Sequence, residues 1–170
     1  MAKRIGKSGL GVGGADIFPR LTGVTLAVTG ASATVTVPLS TEITLGVSGA
    51  SATIAVNVLD VPSGDLGAYQ FKIFFDDSVL EATNVLGGDS PFTGVTAFNV
   101  TTSATGGAVT WNSFQGESVS VPASITVANV VFVGIGSVGE CSVIDLTVEE
   151  LVDNSVVAID NTHQDGEICL

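Results

Sequence analysis

The chain has 170 residues, 45% of them hydrophobic and only 13% charged, with a formal net charge of −12. Such a chain can bury a core, which excludes wholesale disorder. No apolar run approaches the roughly 18 residues of a membrane-crossing helix. One His, two Cys and one Trp leave little material for a catalytic centre, and no enzyme is expected.

The charge is split along the chain. Lys3, Arg4, Lys7 and Arg20 face a single acid, Asp16, in residues 1–20, whereas the rest of the chain sets sixteen acids against Lys72 alone. A basic, glycine-rich arm (1–20) on an acidic body is the expected organisation. One reading of the arm is a solvated terminus; the other is a segment that docks on the acidic face of another copy. The acidic body repels nucleic acid and anionic membranes, so neither a nucleic-acid partner nor membrane insertion is expected. The cluster Lys3-Arg4-Ile5-Gly6-Lys7 has the charge of a secretory n-region, but Ser8 to Gly14 is glycine-rich where an apolar h-region belongs. A leader already removed and a chain that never used this route both remain open.

Residues 24–37 (VTLAVTGASATVTV) and 43–56 (ITLGVSGASATIAV) are a repeat, identical at nine of fourteen positions. In each copy the apolar parity changes at a glycine. Val24, Leu26 and Val28 give way to Ala33, Val35 and Val37; Ile43, Leu45 and Val47 give way to Ala52, Ile54 and Val56. A phase change of this kind means a bulge, a turn or a switch of sheet. The first copy either extends the chain's own sheet or is donated to a neighbour, residues 21–42 then acting as a donor segment through Val24, Leu26, Val28, Val35 and Val37. The second route builds an open head-to-tail homopolymer, with the basic arm meeting the neighbour's acids.

Further along, β-branched residues and period-2 alternation predict strands at Ala52–Val58, Tyr69–Phe75, Val95–Thr101, Ala108–Phe114, Ile125–Val133, Cys141–Glu149, Val156–Asp160 and Glu167–Leu170. In Tyr69–Phe75 the odd positions face a core and Gln70 and Lys72 face out; Phe74 is an apolar residue in an outward position. Asp77–Glu81 reads as a single helical turn. Gly, Asp and Pro clusters separate the strands, and the class expected is an all-β sandwich.

From residue 43 onward the pattern resembles a cohesin-type jelly-roll β-sandwich, a module of extracellular scaffolds related in fold to certain carbohydrate-binding modules. The likeness rests on Val47-Ser48-Gly49 before Ala52–Val58, on Val61-Pro62-Ser63-Gly64-Asp65-Leu66, and on Tyr69–Phe75 running into Asp76-Asp77-Ser78-Val79-Leu80-Glu81. It continues through Ile125–Phe132, Ser142–Val148, Leu151-Val152-Asp153-Asn154 and the closing Asp165-Gly166-Glu167-Ile168. The expected fold is therefore a cohesin-like sandwich over 43–170 with an extra N-terminal strand or hairpin. The resemblance implies dockerin binding through one sheet face and an extracellular or cell-surface location. Polysaccharide binding would need exposed planar aromatics, and Trp111 and Tyr69 are the available ones, Tyr69 with core parity. The leading functional expectation is a subunit of an extracellular, pilus-like filament built by strand donation. The alternatives are a binding module for dockerin or polysaccharide and a virion decoration or fibre protein.

Three further sites are expected. Cys141 and Cys169 either pair, closing a loop worth about 3–4 kcal/mol, or stay as two buried thiols. Oxygen-rich turns at Asp160, Asp165 and Glu167, or at Asp76 and Asp77, are candidates for Ca²⁺. Asn99-Val100-Thr101 is a glycosylation sequon, relevant in an exported chain.

Overall fold

The computed structural model describes residues 32–36, 43–61, 65–115 and 124–170. Among the described residues eleven strands form two sheets. They are β1 (Ser32–Thr36), β2 (Ile43–Thr44), β3 (Ser51–Leu59), β4 (Ala68–Phe75), β5 (Leu80–Gly87), β6 (Ala97–Ser103), β7 (Gly106–Phe114), β8 (Ser124–Gly134), β9 (Cys141–Val152), β10 (Asp160–Gln164) and β11 (Gly166–Cys169). The five-stranded sheet runs β10-β1-β3-β8-β5 and the six-stranded sheet runs β2-β11-β9-β4-β7-β6. No helix among the described residues is long and apolar enough to cross a membrane.

The alternation in the sequence becomes a dry core between the sheets. Ala52, Ile54, Val56 and Val58 of β3 meet Phe71, Ile73 and Phe75 of β4 and Ile144 and Leu146 of β9 within one buried cluster. Tyr69 and Phe71 stack with ring centres 4.7 Å apart, and Trp111 meets Phe71 edge-on. The Tyr69 hydroxyl crosses from one sheet to the other and donates to the Val127 carbonyl at 2.8 Å.

The second repeat copy shows what its phase change means. Ile43 and Thr44 pair in parallel with β11 in the six-stranded sheet, and after the turn at Val47–Gly49 the chain enters β3 in the five-stranded sheet. Gly46 and Gly49, at φ 72° and 88°, supply the left-handed backbone for this crossing. In the first copy, β1 lies within its own chain's sheet, antiparallel to β3 and parallel to β10, with Val35 fully buried. The sandwich therefore takes in Ser32–Thr36 from the span expected to stand apart. Val24, Leu26, Val28, Val37, Lys3, Arg4, Lys7 and Arg20 lie outside the described residues.

Two predicted elements differ from the structure. Asp77–Val79 is a turn, closed by the Val79 and Leu80 amides on the Asp76 carbonyl, and Leu80 then opens β5, which the sequence reading lacks. A bulge between Ala82 and Asn84 explains the miss: Leu80, Ala82 and Val85 all face the core, so period 2 breaks in mid-strand. The strand expected at Val156–Asp160 starts only at Asp160. The Asp153 carboxylate accepts from the amides of Ser155 and Val157, which turns the chain there. Val156 sits on this turn, largely exposed, at φ 62°. A left-handed conformation costs an ordinary side chain about 1–2 kcal/mol, and a β-branched one is a genuine outlier. Val156→Asn is expected to raise the unfolding free energy by about 1 kcal/mol, since Asn tolerates this region; a denaturation midpoint at or below that of the parent chain overturns the strain assignment.

Candidate functional site

The outward face of the six-stranded sheet carries Gln70, Lys72 and Phe74 from β4, Val143 and Asp145 from β9, and Thr110 and Asn112 from β7, by alternation with the buried positions of the same strands. Most of these side chains are polar. Phe74 and Val143 are apolar and are 41% and 57% exposed. Phe74 pairs with Asp145, so Val143 lies two residues further along the adjacent strand. The Lys72 ammonium rests 4.5 Å above the Phe74 ring, a cation–π contact that fixes one side of the aromatic.

Phe74 and Val143 line an open cleft of about 700 Å³ at one end of this sheet. Its walls are the end of β4 (Phe74, Phe75), the turn Asp76-Asp77-Ser78, the β6–β7 hairpin tip (Ala104, Thr105, Gly106) and the start of β9 (Cys141, Ser142, Val143, Asp145). The turn is rigid for a local reason. Asp76 Oδ1 accepts from the Ser78 amide at 2.9 Å and from the Ser78 hydroxyl at 2.6 Å, and the Asp76 amide donates to Ser142 Oγ at 2.9 Å. The Ser78 hydroxyl, and after it the Ser78 amide, hold the Asp76 carboxyl below its ordinary pKa. Gly106, at φ 120°, closes the opposite wall, where a Cβ would stand 2.8 Å from the Phe75 carbonyl oxygen. Asp76, Asp77 and Asp145 thus surround an apolar floor, and among the described residues no Lys or Arg lines the cleft.

Cys141 and Cys169 face each other on β9 and β11, and their sulfurs are joined in a disulfide. Glu167 is beside them, the one trio of potential metal-ligating side chains among the described residues, and both sulfurs are bonded to each other. Asp160, Asp165 and Glu167 are not gathered. Asp160 is on β10, Asp165 accepts from the Leu146 amide at 3.0 Å, and Glu167 is on β11 in the other sheet. Asp76 and Asp77 share the cleft rim without forming a trio of ligating side chains among the described residues. Asn99 is exposed on β6, the edge strand. Trp111 is 1% exposed and packed on Phe71, so it offers no platform to a sugar ring; Tyr69 is equally buried.

Sequence reasoning singled out Asp76 and Asp77 as one of two candidate Ca²⁺ sites and missed the apolar floor. The signal was present: Phe74 breaks the alternation of β4, and Val143 breaks that of β9 between buried Ser142 and Ile144. Two such breaks become a site only because the strands are neighbours.

No protein-family model matches the sequence, and no curated protein matches it. Solved structures do match, and those compared are cohesins. A type I cohesin of Clostridium thermocellum, crystallised in a cohesin–dockerin complex, superposes with a TM-score of 0.63 at 15% identity, covering 84% of this chain and 95% of that one. The sixth cohesin of scaffoldin B from Acetivibrio cellulolyticus, in complex with a dockerin, gives a TM-score of 0.63 at 13% identity over 82% and 99%. A non-cellulosomal cohesin from the hyperthermophilic archaeon Archaeoglobus fulgidus gives 0.58 at 15% identity over 82% and 91%. The fold is a cohesin-like β-sandwich.

Proposed function

We propose that this chain is a non-catalytic binding module that holds a dockerin-like protein partner on the outward face of its six-stranded sheet. The observation that carries the reading is the placement of exposed Phe74 and Val143 on adjacent strands, among the polar side chains Gln70, Lys72 and Asp145 of the same face. Apolar anchors ringed by polar groups are what a protein interface uses to exclude water around its strongest contacts. The likeness to cohesins solved in complex with dockerins supports the same class of partner.

Strand donation to a neighbouring subunit has less support. Its donor strand, as far as it is described, is already paired on both sides within its own chain. A cross-strand disulfide suits an oxidising compartment, which favours the extracellular or cell-surface location over a virion assembled in a reducing cytosol. In an exported chain, the exposed Asn99 sequon would be open to glycosylation.

Calorimetric titration with a panel of dockerin modules tests this reading. One-to-one binding is expected, weakened at least tenfold by Phe74→Ala and by Val143→Asp, since truncating a buried interface anchor costs about 2 kcal/mol or more. Binding that both variants leave intact places the interface elsewhere. Silence across the panel, with chain-length filaments in electron micrographs, would return the homopolymer reading to first place.

A further inference from the structure

The cleft of Phe74, Val143, Asp76, Asp77 and Asp145 has a chemistry that the chain itself can satisfy. It presents three carboxylates around an apolar floor. Among the described residues Lys72 is the one Lys or Arg, and it sits over the Phe74 ring outside the cleft lining. The remaining bases are all in residues 1–20, and three of them frame an aliphatic side chain in the run Lys3-Arg4-Ile5-Gly6-Lys7. Three cations around one isoleucine match three carboxylates around one apolar floor in both charge and kind.

We propose that this cleft receives the basic segment Lys3–Lys7 of the same chain, with Ile5 on the Phe74–Val143 floor and Lys3, Arg4 and Lys7 against Asp76, Asp77 and Asp145. Reach permits it. Residues 8–31 separate the segment from β1, and a connection of that length can span up to about 80 Å. The longest strand, β9, has 12 residues, about 40 Å. The same chain is favoured over a second copy by effective concentration. Exposed ion pairs are individually weak, and a tether presents the segment at millimolar levels whatever the protein concentration. The inference stands without any external partner, so it fails or survives separately from the docking function. If both hold, segment and partner compete for Phe74 and Val143.

The test uses the full-length chain and a full-length variant with Lys3→Ser, Arg4→Ser and Lys7→Ser. At low salt their amide NMR spectra are expected to differ at Asp77, Thr105, Val143 and Asp145 as well as in the segment itself. Raising the salt from about 50 to 500 mM, which shortens the screening length, should bring the parent spectrum onto that of the variant at these amides. Asp77→Asn with Asp145→Asn should remove the difference while leaving the strand amides dispersed. Differences confined to residues 1–10, or centred on Glu149 and Glu150, overturn the site. Cleft shifts that grow with protein concentration alongside a sedimenting dimer overturn the same-chain assignment in favour of a second copy.

Discussion

Replacing Cys141 and Cys169 together by serine is expected to lower the unfolding free energy by about 3–4 kcal/mol. The bridge spans 28 residues, and cross-linking a loop of that length removes chain entropy from the unfolded ensemble. Its position adds to the effect. It clamps β11 to β9, and β11 is what β2 pairs with, so the bond secures one edge of the six-stranded sheet. Residues that follow β11 also depend on it: the Gly139 amide donates to the Leu170 carbonyl at 2.5 Å, and Leu170 is buried. The serine pair should therefore fray first at β2 and β11, which hydrogen exchange would report as early loss of protection at Thr44, Ile168 and Leu170. A midpoint within error of the parent chain in urea, with unchanged slope, would mean that the unfolded chain is already compact here. The cleft wall at Cys141 would also loosen, so partner binding and stability are expected to fall together.

Raising the pH above 10 is expected to cost the fold about 1.4 kcal/mol per unit through one side chain. Tyr69 is the chain's single tyrosine and is 1% exposed, with its hydroxyl donating to Val127. Burial pushes its pKa far above the ordinary value of 10, and the Ser113 hydroxyl offsets part of this. The sign follows from which state keeps the proton. Above pH 10 the unfolded chain gives it up and the folded chain retains it, so the stabilisation is complete below pH 10 and is lost as the pH climbs towards the folded value. Urea titrations from pH 9 to pH 12 should show this fall, and phenolate absorbance should rise only where the chain unfolds. Phenolate that forms in the folded protein near pH 10 sinks the prediction. Tyr69→Phe should flatten the alkaline limb, at a neutral-pH cost of about 1–3 kcal/mol for the unpaired Val127 carbonyl.

Much of the sandwich was legible because its signal is local. In β3 and β4, and in β7 from Val109 on, the side chains alternate between a dry interior and an outer face, and a period of two can be read from the residues alone. In β5 a bulge between Ala82 and Asn84 interrupts the period, and that strand escapes notice. Where one carboxylate rearranges the backbone, as Asp153 does before Val157, β-branched residues mislead. The site was less legible. Asp76 and Asp77 stood out as acids, whereas Phe74 and Val143 are each a single irregularity in separate strands.

By itself the sequence determined the all-β class, the inward set of each regular strand and the separation of positive from negative charge, since these depend on residue type and spacing. It also located the phase change at the glycines of the repeat. Only the tertiary structure decided that this change carries the chain from one sheet to the other, and that β1 closes into its own sheet. It likewise decided that Phe74, Asp76 and Asp77 share one cleft with the distant Val143 and Asp145. Those are questions of which strand lies beside which, and strand order is set by long-range pairing that no local pattern encodes.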